Sequence, residues 1–226
     1  ISHMVTKINA QNPDLVLIAG DIFDNEYDAV QNPEEIAKKI SEIESTYGTY
    51  GVFGNHDVSE RLLGGFSVSL DEDEVRDSRF DTFAEKADIT ILDDEAVCID
   101  DAFYLVGRMD ASKPGDGTQN RMTPEEILKD LDKSKPILVM EHQPKQLQEL
   151  SDAGADMQLC GHTHDGQLFP GNLLIGLMWE NPCGYLQKGN LPSIVTSGVG
   201  VWGPAMRTGT DSEICPITIH FSDTEK

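Results

Sequence analysis

The sequence predicts an α/β protein, a mixed-sheet β-sandwich flanked by helices, and three observations predict it. Short apolar runs stand at 15–20, 51–54, 137–140 and 157–160, each suited to a strand buried on both faces beneath covering helices. Helical patterns separate the runs, so strand, helix and strand in succession point to parallel βαβ units. From Gly166 onward, frequent Gly, Pro and Asn alternate with strand-like segments at 193–197 and 214–221, which reads as antiparallel sheet and loops completing the sandwich.

Residues 1–226 read as one domain, long enough to bury a substantial core. A composition of 38% hydrophobic and 25% charged residues, without repeats or low-complexity tracts, is that of a folded, soluble chain. The longest uncharged apolar stretch, 173–179, falls far short of the ~20 residues a spanning helix needs, and no basic-then-apolar signal pattern opens the chain. Forty acids against seventeen bases give a net charge of −23, which repels a nucleic-acid backbone, and no basic patch offsets it. Nucleic acid is therefore excluded as a partner. Such an excess suits a chain that holds divalent cations, although runs like Asp71-Glu72-Asp73-Glu74 read as solvated surface. The cysteines Cys98, Cys160, Cys183 and Cys215 lack Cys-x-x-Cys spacing, and three of them sit in or beside apolar segments where buried thiols are expected.

Taken in order, Met4 to Gln11 has helical spacing of apolar residues and stops before Pro13. The strand at 15–20 ends on Gly20-Asp21, where glycine lets the backbone turn and approach a neighbour closely. Ligands collect just beyond the carboxyl ends of such strands. Taken alone, though, a strand ending in Gly-Asp is common, and Asp21 reads first as a helix N-cap or Asx-turn acid. Pro33 to Ile40 carries proline and acids in its first turn and bases later, the charge order that suits a helix dipole. The next strand, 51–54, delivers Asn55-His56-Asp57 to the same edge. Residues 58–80 read as a flap over that edge and 81–87 as helix. Strands at 89–92, 96–99 and 103–107, separated by Asp-rich turns, suggest antiparallel pairing. Thr123-Pro124-Glu125-Glu126 forms a capping-box pattern opening a helix to about Asp132. The strand 137–140 then ends at Glu141-His142-Gln143-Pro144, Lys145 to Ala153 is helix, and strand 157–160 stops at Gly161-His162-Thr163-His164.

Four strands thus end in oxygen or imidazole ligands, and four of the six histidines fall in these segments. In extended backbone His162 and His164 would point to one side and Thr163 to the other. Carboxylate, amide oxygen and imidazole without thiolate suit manganese, iron or zinc, and argue against a structural zinc site. Asp21, with two oxygens, can bridge two cations, and a two-metal site clamps a phosphoryl oxygen and activates water. His220 and His3 read as structural or incidental.

In this order, Gly-Asp-x-x-Asp, Gly-Asn-His-Asp, His and Gly-His-x-His resemble the calcineurin-like metallophosphoesterase family, across residues 15–165. The resemblance implies a four-layer fold and a metal-dependent phosphoric ester hydrolase, a phosphodiesterase or phosphomonoesterase, with two divalent metal ions (Mn, Fe or Zn) and a bridging hydroxide. It implies Asp21 as the bridging ligand, with Asn55, His142 and His162 completing one metal's shell and His164 serving the second. His56 resembles the histidine that touches the phosphate or leaving group, with Asp57 and Asp24 orienting it. The implied substrate is a phosphoester, small or lipid-like. Gly-His-Thr-His followed by Asp165-Gly166-Gln167-Leu168 resembles bacterial phosphodiesterase-like members often attached to membranes by amino-terminal segments, which implies a cytoplasmic or membrane-associated location.

One motif of the family, an Asp-x-His pair closing a first strand, has no counterpart, since no Asp precedes Asp14. The reading adopted is that the chain begins after that strand. A non-catalytic binding module on the same scaffold is the alternative. Finally, the apolar stretch Phe169 to Trp179 reads either as a core strand with its turn or as an apolar lip beside the metals.

Overall fold

A computed structural model describes residues 1–24, 26–58, 75–117 and 120–221, together with the backbone of 62–63 and 66–67. Helix α1 (Ser2–Asn9) leads to β1 (Val16–Ala19), α2 (Pro33–Ile40) and β2 (Thr49–Val52). Two-residue strands β3 (Leu62–Leu63) and β4 (Phe66–Ser67) pair with each other, and α3 (Ser78–Lys86) follows. Then come β5 (Ile89–Ile91), β6 (Glu95–Ile99), β7 (Phe103–Gly107), α4 (Pro124–Leu128), β8 (Ile137–Met140), α5 (Leu147–Ala153) and β9 (Met157–Cys160). Helix α6 (Gly171–Leu174) and the hairpin β10 (Gly184–Lys188) and β11 (Leu191–Val195) complete the order. The flap expected over 58–80 falls largely outside the described residues.

Besides the β3-β4 pair, two larger sheets form among the described residues: parallel β1-β2-β5, and mixed β10-β11-β9-β8-β7-β6. Alternation along each strand sorts their side chains into three cores. Ile18, Ile89 and Ile91 join Phe23, Phe80 and Phe83 beneath α2 and α3. Leu17, Val52, Leu105, Leu138 and Met140 fill the space between the sheets. Ile137 and Val139 point the other way, against Leu128 of α4 and Leu147 and Leu150 of α5. Helix, sheet, sheet, helix is the four-layer sandwich that the resemblance implied. Its consequence is that β1 and β2 of one sheet, and β8 and β9 of the other, bring their carboxyl ends to the same edge, as contacts between the loops show below.

Several local expectations change. β1 is half-exposed along its length, because it is an edge strand rather than an interior one. β5 does not join an antiparallel meander with β6 and β7; it pairs parallel with β2 in the other sheet, Thr49 opposite Ile89, and of these three strands β6 and β7 alone pair antiparallel. The capping box at Thr123 and Glu126 forms, but α4 stops at Leu128. Downstream, the Asp132 carboxylate accepts from the Ser134 amide and hydroxyl, a local turn that competes with helix. Residues 214–221 form no ladder. Pro216 lacks an amide to donate, and the segment contributes side chains only, Ile219 to the central core and Phe221 stacked on Phe103 at 5.5 Å. Of the cysteines only Cys160 is fully buried; Cys98 and Cys215 are exposed, and all four are free thiols.

Candidate metal centre

The residues at the shared edge meet because two glycines leave them room. At Gly20, whose φ of +80° favours glycine, an added Cβ would lie 2.6 Å from His142 Nδ1 and 2.8 Å from the Gly54 nitrogen. At Gly54 it would collide with the Asp21 carboxylate and lie 2.8 Å from the His142 ring. Gly54→Ala is therefore expected to push Asp21 and His142 apart, and metal titration followed by calorimetry should show loss of binding with the fold retained.

Asp21, itself at a φ of +52°, receives the His56 amide on Oδ1 at 3.0 Å and faces His142 Nε2 with Oδ2 at 3.0 Å. His142 is buried and donates from Nδ1 to the Ala19 carbonyl at 2.7 Å, a bond that spans the two sheets and fixes which ring nitrogen faces the centre. His162 Nδ1 lies 3.0 Å from His142 Nε2. Asp21, His142 and His162 each offer a ligand atom within 4.8 Å of the others. Beside them Asn55 Oδ1 is buried with no hydrogen-bond partner among the described residues, the orphaned acceptor that a cation would satisfy. This donor set, carboxylate, amide oxygen and two imidazoles, fits a divalent metal.

The electrostatics show what replaces the cation in the free chain. Burial opposes charge on His142, but the Asp21 carboxylate outweighs it and lifts His142 to about 9. Burial and the neighbouring His142 push His162 down to about 4. Asp21 is held below its ordinary value: burial works against its charge, and His142 overcomes it. At pH 7, then, a proton on His142 Nε2 sits among the groups that would hold the ion. A cation needs that nitrogen unprotonated, so binding releases the proton and tightens as pH rises toward about 9. Calorimetry at pH 7 in buffers of different ionisation enthalpy is expected to show about one proton released per tightly bound ion.

Asp57 and Asp24 flank the centre in different ways. Asp57 is fully buried and accepts from the Phe23 amide at 2.8 Å and the Gly54 amide at 2.7 Å. It clamps the loops after β1 and β2 together and so orients backbone. Burial and the Asp21 charge push it up to about 7. Asp24 is exposed, with Oδ1 3.9 Å from His56 Nδ1.

The Gly-His-Thr-His turn is not extended. His162 and His164 have φ of 71° and 50°, and the latter opens a single 3-10 turn, His164–Gly166. Thr163 drives this: its amide donates to Gly161 at 2.9 Å and its hydroxyl oxygen accepts from Asp165, local bonds that compete with extended structure. His162 Nδ1 faces His142, whereas His164 Nδ1 lies 3.2 Å from Arg207 Nη2, with Asp21, His142 and His56 still near enough to act on its charge. Burial and this guanidinium hold His164 below the usual histidine range. Sequence reasoning missed Arg207; it named Trp179 only as the end of an apolar stretch, with no sign that its ring would stand edge-on to His162 at 4.9 Å. Neither lies in a motif of chemistry-bearing residues; only the run of Gly and Pro around Arg207 hinted at a shaped loop.

Residues 1–166 match the calcineurin-like phosphoesterase family. The chain belongs to that family. It resembles an uncharacterized metallophosphoesterase of Helicobacter pylori (strain J99), 33% identical over 218 residues, 95% of this chain and 53% of that protein. It is also similar to Phosphodiesterase YaeI of Escherichia coli (strain K12), 30% identical over 74% of this chain and 55% of that protein. A zebrafish (Danio rerio) transmembrane protein with metallophosphoesterase domain is 29% identical over 97% of this chain and 48% of its own length. The phosphoesterase chain spans about half the length of these relatives. Among its described residues no helix is long and apolar enough to cross a membrane.

Proposed function

We propose that this phosphoesterase hydrolyses a phosphodiester or phosphomonoester through a dinuclear metal centre, with manganese the first ion to test, in a protein associated with a membrane through segments outside these residues. The observation that carries the reading is the cluster of Asp21, His142 and His162 with the orphaned Asn55 oxygen beside it. These four residues would hold one cation. Asp21 and His164 would serve the second, which has fewer ligands among the described residues. When bound, the cations supply Lewis-acid activation of water and of the phosphoryl oxygens.

The chain's own groups do the rest. Ala19 fixes the His142 ring through its carbonyl, and Asp57 holds the two ligand loops in register. In this reading the His56 imidazole protonates the departing oxygen. Its backbone amide, not its ring, bonds Asp21. His56→Ala is thus expected to lower kcat by ~10²–10⁴-fold with metal content unchanged, counted by mass spectrometry; metal loss in this variant would remove His56 from the phosphate side. Hydrolysis of bis(p-nitrophenyl) phosphate by the manganese-loaded full-length protein tests the whole reading. A protein that holds its metals yet cleaves neither this diester nor p-nitrophenyl phosphate is the non-catalytic binding module.

A further inference from the structure

The chain carries an apolar surface that its packing does not use. Phe169, Leu173, Leu174, Leu177 and Met178 are 64, 67, 55, 85 and 77% exposed, within a stretch, 169–179, that holds no charged residue. The core-strand reading of this stretch fails, because it forms α6 and a 3-10 turn (Ile175–Leu177) on the outside of the molecule. The surface begins at the metal centre. Trp179, at its end, packs edge-on against His162 at 4.9 Å, and on the other side Trp202, 49% exposed, stands 6.4 Å from the His56 ring. Gln167, two residues before the stretch, holds Trp202. Its Oε1 accepts the Trp202 amide at 2.7 Å and its Nε2 donates to the Trp202 carbonyl at 2.5 Å. Apolar side chains therefore lead outward from the imidazoles that a bound phosphate would meet.

We propose that this rim seats the hydrocarbon part of a lipid-like phosphoester whose phosphate lies at the metal centre; the proposal rests on the hydrolase reading of that centre. The occupant follows from charge as well as position. A neutral alkyl chain suits an uncharged stretch on a chain of net charge −23, whereas an anionic bilayer is repelled and a second copy brings another −23. Contiguous exposed apolar surface of this kind marks a contact site.

The test uses the metal-loaded full-length protein and p-nitrophenyl alkyl phosphates from ethyl to dodecyl, kept below their critical micelle concentrations. Ethyl- and dodecylphosphonate serve as uncleaved ligands, read by tryptophan fluorescence. The expected result is that kcat/KM rises with chain length, by up to about fourfold for each methylene that becomes buried, and that dodecylphosphonate binds more tightly than ethylphosphonate. The double variant Leu177→Gln with Met178→Gln, both far out of the core, should flatten both dependences and leave the ethyl ester's kcat/KM unchanged. Chain-length-independent turnover by an enzyme that cleaves the ethyl ester overturns the proposal and leaves the hydrolase reading standing. No turnover of any ester, with dodecylphosphonate binding still lost in the double variant, overturns the hydrolase reading and keeps the alkyl site. Dimerisation in sedimentation, or flotation with phosphatidylcholine vesicles, that the double variant abolishes without any chain-length dependence assigns the rim elsewhere and overturns it.

Discussion

Asp21→Ala is expected to empty the metal centre and with it the activity. The carboxylate faces His142 Nε2 with one oxygen and holds the His56 amide with the other, so it is the single group shared by the loops after β1, β2 and β8. Loss of an orienting partner alone costs ~10–100-fold in metal affinity, and removal of a ligand should exceed ~100-fold. Mass spectrometry under native conditions should find one tightly held ion on the parent 226-residue chain and none on the variant. A second signature separates this from unfolding. Without Asp21, only Asp110 and the bond to the Ala19 carbonyl still oppose the effect of burial, and the His142 titration, followed by ring-proton NMR in the metal-free variant, should fall from about 9. An unchanged His142 titration would mean that the carboxylate does not face that ring in solution.

Glu141→Gln is expected to produce the largest loss of stability. Glu141 and Arg108 are completely buried; Arg108 Nη1 lies 3.0 Å and Arg121 Nη1 2.6 Å from Glu141 Oε2, while Gln158 Nε2 donates to Oε1 at 2.7 Å. Arg108 Nη2 also reaches Gln146 at 2.8 Å and the Met122 carbonyl at 2.9 Å. Neutralising Glu141 leaves two guanidinium groups without their counter-charge, which costs ~3–5 kcal/mol, or roughly 6–20 °C in Tm for a domain of this size. The double change Glu141→Leu with Arg108→Met should recover part of that loss, since an apolar pair need not be paired with anything. Thermal unfolding of the three proteins decides it. If Glu141→Gln unfolds like the parent, the network contributes position rather than stability. Because Glu141 immediately precedes His142, metal affinity would then be the quantity it moves.

How far the centre could be read from the chain differs from residue to residue. That Asp21, Asn55, His56, His142 and His162 meet at one edge was legible because each follows a short apolar run that reads as a strand, and because parallel strands in such a fold deliver their ends to one edge. Gly20 was legible for the same reason, and its close approach to His142 is what the structure shows. Asp57 and His164 were legible as members of motifs but not in what they touch. A local turn built by Thr163 sends His164 to Arg207, forty-three residues away, and Asp57 clamps backbone amides that belong to two different loops.

The sequence by itself therefore determined the strands, helices and caps, the order in which ligands arrive, and the family they resemble, all of which depend on residues near one another along the chain. Only the tertiary structure decided that β5 joins β1 and β2 rather than its neighbours, that 214–221 lends side chains without hydrogen bonds, and that 169–179 lies outside. A three-residue apolar strand satisfies its backbone equally in either sheet, and an apolar stretch carries no local mark of whether anything will cover it. Those choices rest on which distant surfaces meet, and on how much apolar area each meeting removes from water.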